Sequence, residues 1–125
     1  MNLINVIAAI IIKDNFYFIA QRNKKKHLGL KWEFPGGKVD INESNVEALK
    51  REIKEELNII IDVKNKIAKK IYQDKKINII LHYYICHIQN GNVILNEHEN
   101  FKWLTKENLN KYDFVSGDKA VLSLL

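Results

Sequence analysis

Between residues 44 and 57 the hydrophobic pattern of this chain changes period. Val46, Leu49, Ile53 and Leu57 recur at helical spacing with charged residues between them, whereas the segments on either side are short, β-branched and aromatic. One amphipathic helix set among strands restricts the fold to a mixed α/β architecture. Ser44 and Glu47 are spaced as a capping box, in which hydroxyl and carboxylate each satisfy an unpaired backbone N–H, so the helix is predicted to start at Ser44. Asn58 tolerates the left-handed conformation found just past helix ends and is predicted to stop it.

Residues 5–12 and 16–21 read as paired strands around the turn Lys13-Asp14-Asn15, followed by a basic loop over 23–31 that contains Gly29. Trp32-Glu33-Phe34 is a short extended piece stopped by Pro35 and by Gly36-Gly37. Strands are expected at 59–63, 67–72 and 77–88, the last apolar on both faces like a central strand covered from two sides. A turn at Asn90-Gly91-Asn92, a strand at 101–104, a helical turn at 106–110 and an amphipathic helix over 118–125 complete the chain. The sum is a mixed sheet with a helix on either side, an α/β/α sandwich, and 125 residues suffice for a single domain spanning 1–125.

No apolar run approaches the roughly 20 residues of a membrane span. The first twelve residues lack a basic leader and read as a strand, not a signal peptide. Cys86 has no second cysteine to pair with and lies in an apolar run, so a buried, inert thiol in a reducing cytoplasm is expected.

The chain carries +5, unevenly spread. Residues 40–56 hold six acidic side chains against three basic ones, a local charge of −3 inside a basic protein. Glu52, Glu55 and Glu56 stand at i, i+3 and i+4 on one helical stripe, where like charges repel unless protein cations or a metal relieve them. Hard cations such as Mg²⁺ or Mn²⁺ take such oxygen ligands together with substrate phosphates; pairing with Lys50, Arg51 and Lys54 is the plainer alternative. Only two of the twenty cationic residues, Arg22 and Arg51, are arginine, which suggests that bidentate geometry is needed at those places. Arg51 could pair with Glu47 one turn away, or orient Glu43 or Glu52. His82 and His87, five residues apart in a strand, fall on opposite faces and do not form a metal pair. The run Lys24-Lys25-Lys26-His27 is short for a polynucleotide site and reads as a solvated loop that attracts a small anion.

The segment Gly37, five residues, Glu43, seven residues, Arg51-Glu52-Ile53-Lys54-Glu55-Glu56-Leu57-Asn58-Ile59 resembles the signature of the Nudix hydrolases. Each fixed position matches except the final Gly, which is Asn58 here. Six such matches arise by chance with a probability on the order of 10⁻⁶ for a chain of this composition. Trp32-Glu33-Phe34-Pro35-Gly36-Gly37-Lys38 resembles the lead-in of the MutT-like branch, and Arg22 matches its preceding strand end. Glu97-His98-Glu99 with Phe101-Lys102-Trp103-Leu104 is similar to its second acidic loop and last core strand, and Asp118 stands where the branch places a base-reading Asn or Asp.

The resemblance implies a Mg²⁺-dependent (alternatively Mn²⁺-dependent) diphosphatase that cleaves a nucleoside triphosphate to the monophosphate and pyrophosphate. It assigns the metal to Glu52, Glu55, Glu56 and the Gly36 carbonyl, and catalysis to Glu52, Glu97 and Arg51. Glu52 and Glu97 are both candidates for taking the proton of the attacking water. Substrate binding is assigned to Arg22, Phe34, Lys38 and Asp118, with Phe34 a packing surface for the base or else a core residue. An ionised Asp118 only accepts hydrogen bonds and a protonated one also donates, which admits oxidised guanine nucleotides such as 8-oxo-dGTP, or CTP and methylated dCTP. A nucleotide-sensing module without hydrolysis would show eroded box glutamates, and all are present. A monomer or homodimer with no stable nucleic-acid or membrane partner is expected.

Overall fold

The computed structural model describes residues 3–73, 75 and 78–125. Strand β1 (Ile4–Lys13) is its centre. On one edge β1 pairs in parallel with β6 (Asn78–Asn90), which pairs antiparallel with the edge strand β5 (Ile60–Gln73). The other edge of β1 is divided between two partners. Val6 to Ala8 pair with β4 (Gly36–Lys38), and Ile12 and Lys13 pair with β2 (Phe16–Gln21), which also carries β3 (Trp32–Glu33) and β7 (Asn100–Leu104). At the division the Ala9 N–H donates to the Pro35 carbonyl at 2.8 Å, so no strand edge is left unpaired there.

Alternation along β1 sends side chains into two cores. Ile7, Ala9 and Ile11 join Ala48, Leu49, Ile53 and Leu57 of helix α1 (Asn45–Leu57) on one face. Ala8 and Ile10 join Tyr83, Phe34, Phe114, Leu109 of α2 (Lys106–Leu109) and Val121 of α3 (Ser116–Val121) on the other. The mixed sheet therefore has helical cover on both faces, as expected. The β1–β2 turn has two residues, Asp14 and Asn15, both at positive φ, the primed geometry that matches strand twist.

Helix α1 begins and ends as its sequence dictates. Ser44 accepts from the Glu47 N–H while the Glu47 carboxylate accepts from the Ser44 N–H, and Asn58 closes the helix at φ 59°, ψ 31°. Val46, expected on the apolar stripe, is 39% exposed, because the buried face turns instead through Ala48 and Glu56.

Three expectations are corrected. The strands expected at 59–63 and 67–72 are one continuous strand, β5, with register shifts between Val63 and Lys66 and between Lys66 and Ala68. Extra residues are absorbed as bulges, and the polar lysines there mimic a break in the sequence pattern. The helix expected over 118–125 starts earlier, at Ser116, and tightens after Val121 into a 3₁₀ turn, Leu122–Leu124. Strand β6 runs to Asn90, two residues past its expected end, while its expected first residue, Ile77, lies outside the described residues. Cys86 is buried, and burial pushes its thiol up to about 12.

Candidate active site

Arg51 organises the exposed side of α1. Its Nε and Nη2 donate to the two oxygens of Glu43 at 2.7 and 2.9 Å, Nη1 donates to Glu52 at 2.9 Å and to Glu55 at 3.4 Å, and Nη2 also reaches the Lys38 carbonyl at 3.1 Å. The bidentate contact with Arg51 and the Asp40 N–H hold the Glu43 carboxyl down to about 2. The pairing with Glu47 considered from sequence is absent, since Glu47 serves the capping box. Arg51 therefore fixes side chains around the site, and five donors in a rigid fork are what a lysine could not offer.

Of the three stripe glutamates, two turn inward. Glu52 lies against Gly37, where any Cβ would overlap its carboxylate, and a Cβ at Gly36 would overlap the Ile7 carbonyl. Close approach of the Ile7 backbone requires glycine at 36, whereas at 37 an added Cβ would have to displace the Glu52 carboxylate. The Glu56 side chain is 4% exposed, whereas that of Glu55 is 57% exposed and held only by Arg51. Burial, then hydrogen bonding to Glu52 and the charges of Glu52, Glu33 and Glu97, push the Glu56 carboxyl up to about 10. Its Oε2 is buried and has no hydrogen-bond partner among the described residues.

Strand β3 and the loop before β7 supply groups that sequence reasoning quoted without a role. Glu33 accepts from Arg22 Nη1 at 2.7 Å and faces His98 Nε2 at 2.9 Å. Its burial favours the neutral acid, but these two partners prevail and hold the carboxyl below its ordinary range. Glu33, Glu56 and His98 offer ligand-type atoms that all lie within 4.8 Å of one another. The available signal for Glu33 was its place beside Phe34 in a two-residue strand, and for His98 its place between two acids.

At the far end Asp118 is fully buried. Its Oδ2 accepts from the Phe34 N–H at 2.7 Å and its Oδ1 from the Tyr83 hydroxyl at 2.6 Å. Burial raises its carboxyl to about 7 in spite of these two donors. Asp118 caps no helix, since Val115 precedes α3 without a side-chain cap. Phe34 is itself buried against Phe114, with ring centroids 5.5 Å apart. Tyr83, whose hydroxyl is pushed upward by burial and by Asp118, is a third contributor missed from sequence; a tyrosine in a central apolar strand gives no warning that its hydroxyl meets an acid.

One cavity of about 590 Å³ runs between these groups at the division of the sheet. Arg22, Phe34, Gly36, Lys38, Glu52, Glu56, Glu97 and Asp118 line it, together with Glu33 and Lys26. Glu55 and Arg51 are not among its lining residues. Lys26 of the basic loop stands 3.5 Å from Glu97, and Lys24 N–H donates to Glu99 at 3.1 Å, so the basic and acidic loops are fastened together over the cavity mouth. His82 is buried against Asn5 and His87 is exposed, on opposite faces as expected.

The donor set fits a hard divalent cation. The Glu56 Oε2 is buried without a partner among the described residues, burial and then the nearby Glu52, Glu33 and Glu97 carboxyls raise the Glu56 carboxyl, and a charge of +2 would offset both effects. Among the described residues no helix is long and apolar enough to cross a membrane.

Compared with known proteins, residues 1–125 match the family model described as NUDIX domain. The chain is 34% identical over 124 residues to the CTP pyrophosphohydrolase of Escherichia coli (strain K12), covering 98% of this chain and 90% of that one. It is 33% identical over 123 residues to the 8-oxo-dGTP diphosphatase of Buchnera aphidicola subsp. Schizaphis graminum, covering 98% and 92%. Among solved structures it resembles the MutT NUDIX hydrolase of Burkholderia pseudomallei, with a TM-score of 0.89 over 100% of this chain and 99% of that one; at 23% identity this is a likeness of fold.

Proposed function

From the premise that this chain belongs to the NUDIX family and is a Nudix hydrolase of nucleotides, we propose that it cleaves a nucleoside triphosphate to the monophosphate and pyrophosphate, with 8-oxo-dGTP as its preferred substrate. The observation that carries this reading is the single cavity joining a buried, unpartnered carboxylate oxygen at Glu56 to a hydrogen-bonding acid at Asp118. Polyphosphate chemistry and base recognition thereby share one site of about 590 Å³, a volume suited to a small ligand.

Mg²⁺, with Mn²⁺ able to replace it, is the cation of this reading, held by Glu52, Glu55, Glu56 and the Gly36 carbonyl. When bound it supplies charge neutralisation for the polyphosphate and acidifies the attacking water. Arg22, Lys38 and Lys26 bind the phosphate oxygens. Glu52 or Glu97 takes the proton of the water; Glu97 is the more solvent-accessible of the two, paired among the described residues with Lys26 alone. Arg51 acts through Glu52, Glu43 and Glu55, as a positioning residue.

At the base end Phe34 provides one wall and Asp118 the reading group. Burial raises the Asp118 carboxyl towards its neutral form, which can donate as well as accept, as the O6 and N–H edge of 8-oxo-guanine requires. A cytosine nucleotide is the second reading, favoured by the ionised form of Asp118 facing an amino group and by the likeness to a CTP pyrophosphohydrolase. Residues 1–125 act as a single cytoplasmic domain, monomeric or homodimeric, without a stable nucleic-acid or membrane partner. A screen of nucleotides with Mg²⁺, products separated by chromatography, tests the reading: monophosphate and pyrophosphate from 8-oxo-dGTP at a higher kcat/KM than from CTP, dCTP or dGTP is expected, and orthophosphate release or no turnover overturns it.

A further inference from the structure

Outside the signature segment, one buried side chain stands against both Glu33 and Glu56 and has been given no role. The His98 side chain is 4% exposed. Its Nε2 stands 2.9 Å from Glu33 Oε2 and 3.7 Å from Glu56 Oε1, so the same nitrogen makes a hydrogen bond to one carboxylate and a close electrostatic contact to the other. Carboxylate oxygens face Nε2, which therefore carries the ring hydrogen. Nδ1 is buried with no partner among the described residues. A ring buried at the expense of one nitrogen's hydrogen bonding is held there by what its other nitrogen does.

The backbone on both sides of His98 is tied down. Asn96 N–H donates to the Glu56 carbonyl at 3.0 Å and Asn96 Nδ2 to the Glu55 carbonyl at 2.7 Å, which docks the loop on the C-terminal end of α1. On the other side Glu99 N–H donates to the Gln21 carbonyl at 2.9 Å, at the end of β2. The imidazole thus arrives pre-oriented between α1 and β3. Beyond Glu33 the contact continues to Arg22, whose guanidinium lines the same cavity. Arg22, Glu33, His98 and Glu56 form a continuous line of side chains from a phosphate-binding cation to a metal-binding acid.

We propose that His98 is a positioning residue: its single N–H, shared between Glu33 and Glu56, fixes the rotamer of the buried metal-binding carboxylate and links it to the Arg22–Glu33 pair. The inference rests on the reading of Glu56 as a metal ligand. Partners of this kind, one bond removed from the cation, govern its affinity by holding the ligand where the cation needs it. His98 does not ligate, because its nitrogen is occupied by Glu33.

The test is Mn²⁺ binding to the full chain without nucleotide, followed by paramagnetic resonance or calorimetry, beside the Mg²⁺ dependence of nucleotide hydrolysis. His98→Leu removes the N–H and is expected to weaken Mn²⁺ binding by about tenfold or more and to raise the Mg²⁺ concentration for half-maximal rate in step. His98→Gln places an amide N–H near the position of Nε2 and is expected to restore most of the loss. Wild-type Mn²⁺ affinity in His98→Leu overturns the proposal. So does an equal loss in His98→Gln, which would mean that the ring itself ligates or merely packs. If His98→Leu does not fold, Glu33→Gln decides, since it removes the anionic partner at unchanged size: weakened Mn²⁺ binding supports the line of contacts and wild-type affinity overturns it. His98-dependent Mn²⁺ binding in a protein that hydrolyses no nucleotide would sink the proposed function and leave this inference standing; hydrolysis with His98-independent binding would do the reverse.

Discussion

The two ends of the cavity are assembled in different ways. At the carboxylate end, Glu43, Arg51, Glu52 and Glu55 come from one continuous stretch of chain and hold one another through charge-assisted hydrogen bonds no longer than 3.4 Å. At the Asp118 end a single carboxylate meets Phe34 and Tyr83, which lie 84 and 35 residues away in sequence, and no opposite charge contacts it directly. The first end is dense in charge, partly wet and built by helical period. The second is dry and built by the packing of three distant elements. Charge that is solvated and paired stays ionised, whereas a lone buried acid drifts towards its neutral form, which is why Arg51 holds the Glu43 carboxyl down to about 2 while burial raises that of Asp118 to about 7.

The contrast breaks most visibly at the carboxylate end. Glu56→Gln is expected to lower kcat by at least about 10²-fold with the fold intact, because it removes a charged ligand from a centre whose electrostatics dominate catalysis. Glu55→Gln should cost less, since its side chain is exposed and does not line the cavity. Steady-state kinetics on both variants, beside circular dichroism, test the ranking; near-wild-type turnover in both would remove the stripe from the mechanism.

A second difference lies in pH. The Asp118 carboxyl rises from 3.8 to about 7 on folding, so between these values the native state binds the proton that the unfolded state has released. Stability contributed by the neutral acid is full below about pH 4 and falls as pH rises to 7, by on the order of a few kcal/mol at most. Asp118→Asn cannot titrate, so the stability of this variant relative to wild type should grow across that window. Denaturant unfolding at pH 4.5 and 7.5 in chelator measures it, and a constant difference would mean that the acid is not raised.

Selectivity should separate the ends next. Asp118→Ala is expected to raise KM for the preferred nucleotide and to flatten its advantage by roughly ten- to a hundredfold, the worth of a charged hydrogen bond of about 1.5–3 kcal/mol, with kcat changing less. Tyr83→Phe, which removes one donor to Asp118, should move selectivity in the same direction by a smaller factor. Values of kcat/KM for 8-oxo-dGTP, dGTP, CTP and dCTP decide it; an unchanged profile in Asp118→Ala would leave that acid a structural link between α3, β3 and β6.

The smallest effect is the control on local order. Asn58→Gly should leave stability almost unchanged at φ 59°, whereas Asn58→Val should cost roughly 1 kcal/mol or more, because a β-branched side chain is strained there. Equal melting temperatures would contradict the left-handed helix end.

By itself the sequence determined whatever is settled within a few residues along the chain: the capping box at Ser44 and Glu47, the stop at Asn58, the stripe of glutamates, and the alternation that gives β1 two faces. Periodicity and close-range sterics fix these before any tertiary contact forms. The tertiary structure alone decided which stripe glutamate is buried, because Glu56 is enclosed by Glu33 and His98 arriving from β3 and from a loop 42 residues away. It also fused two strand-like segments into β5 through bulges against β6, and made Asp118, expected at the start of the last helix, a buried acceptor for Phe34 and Tyr83. A side chain's partner across a sheet or a core is set by register and packing, and those depend on the whole chain at once, so no local pattern carries them.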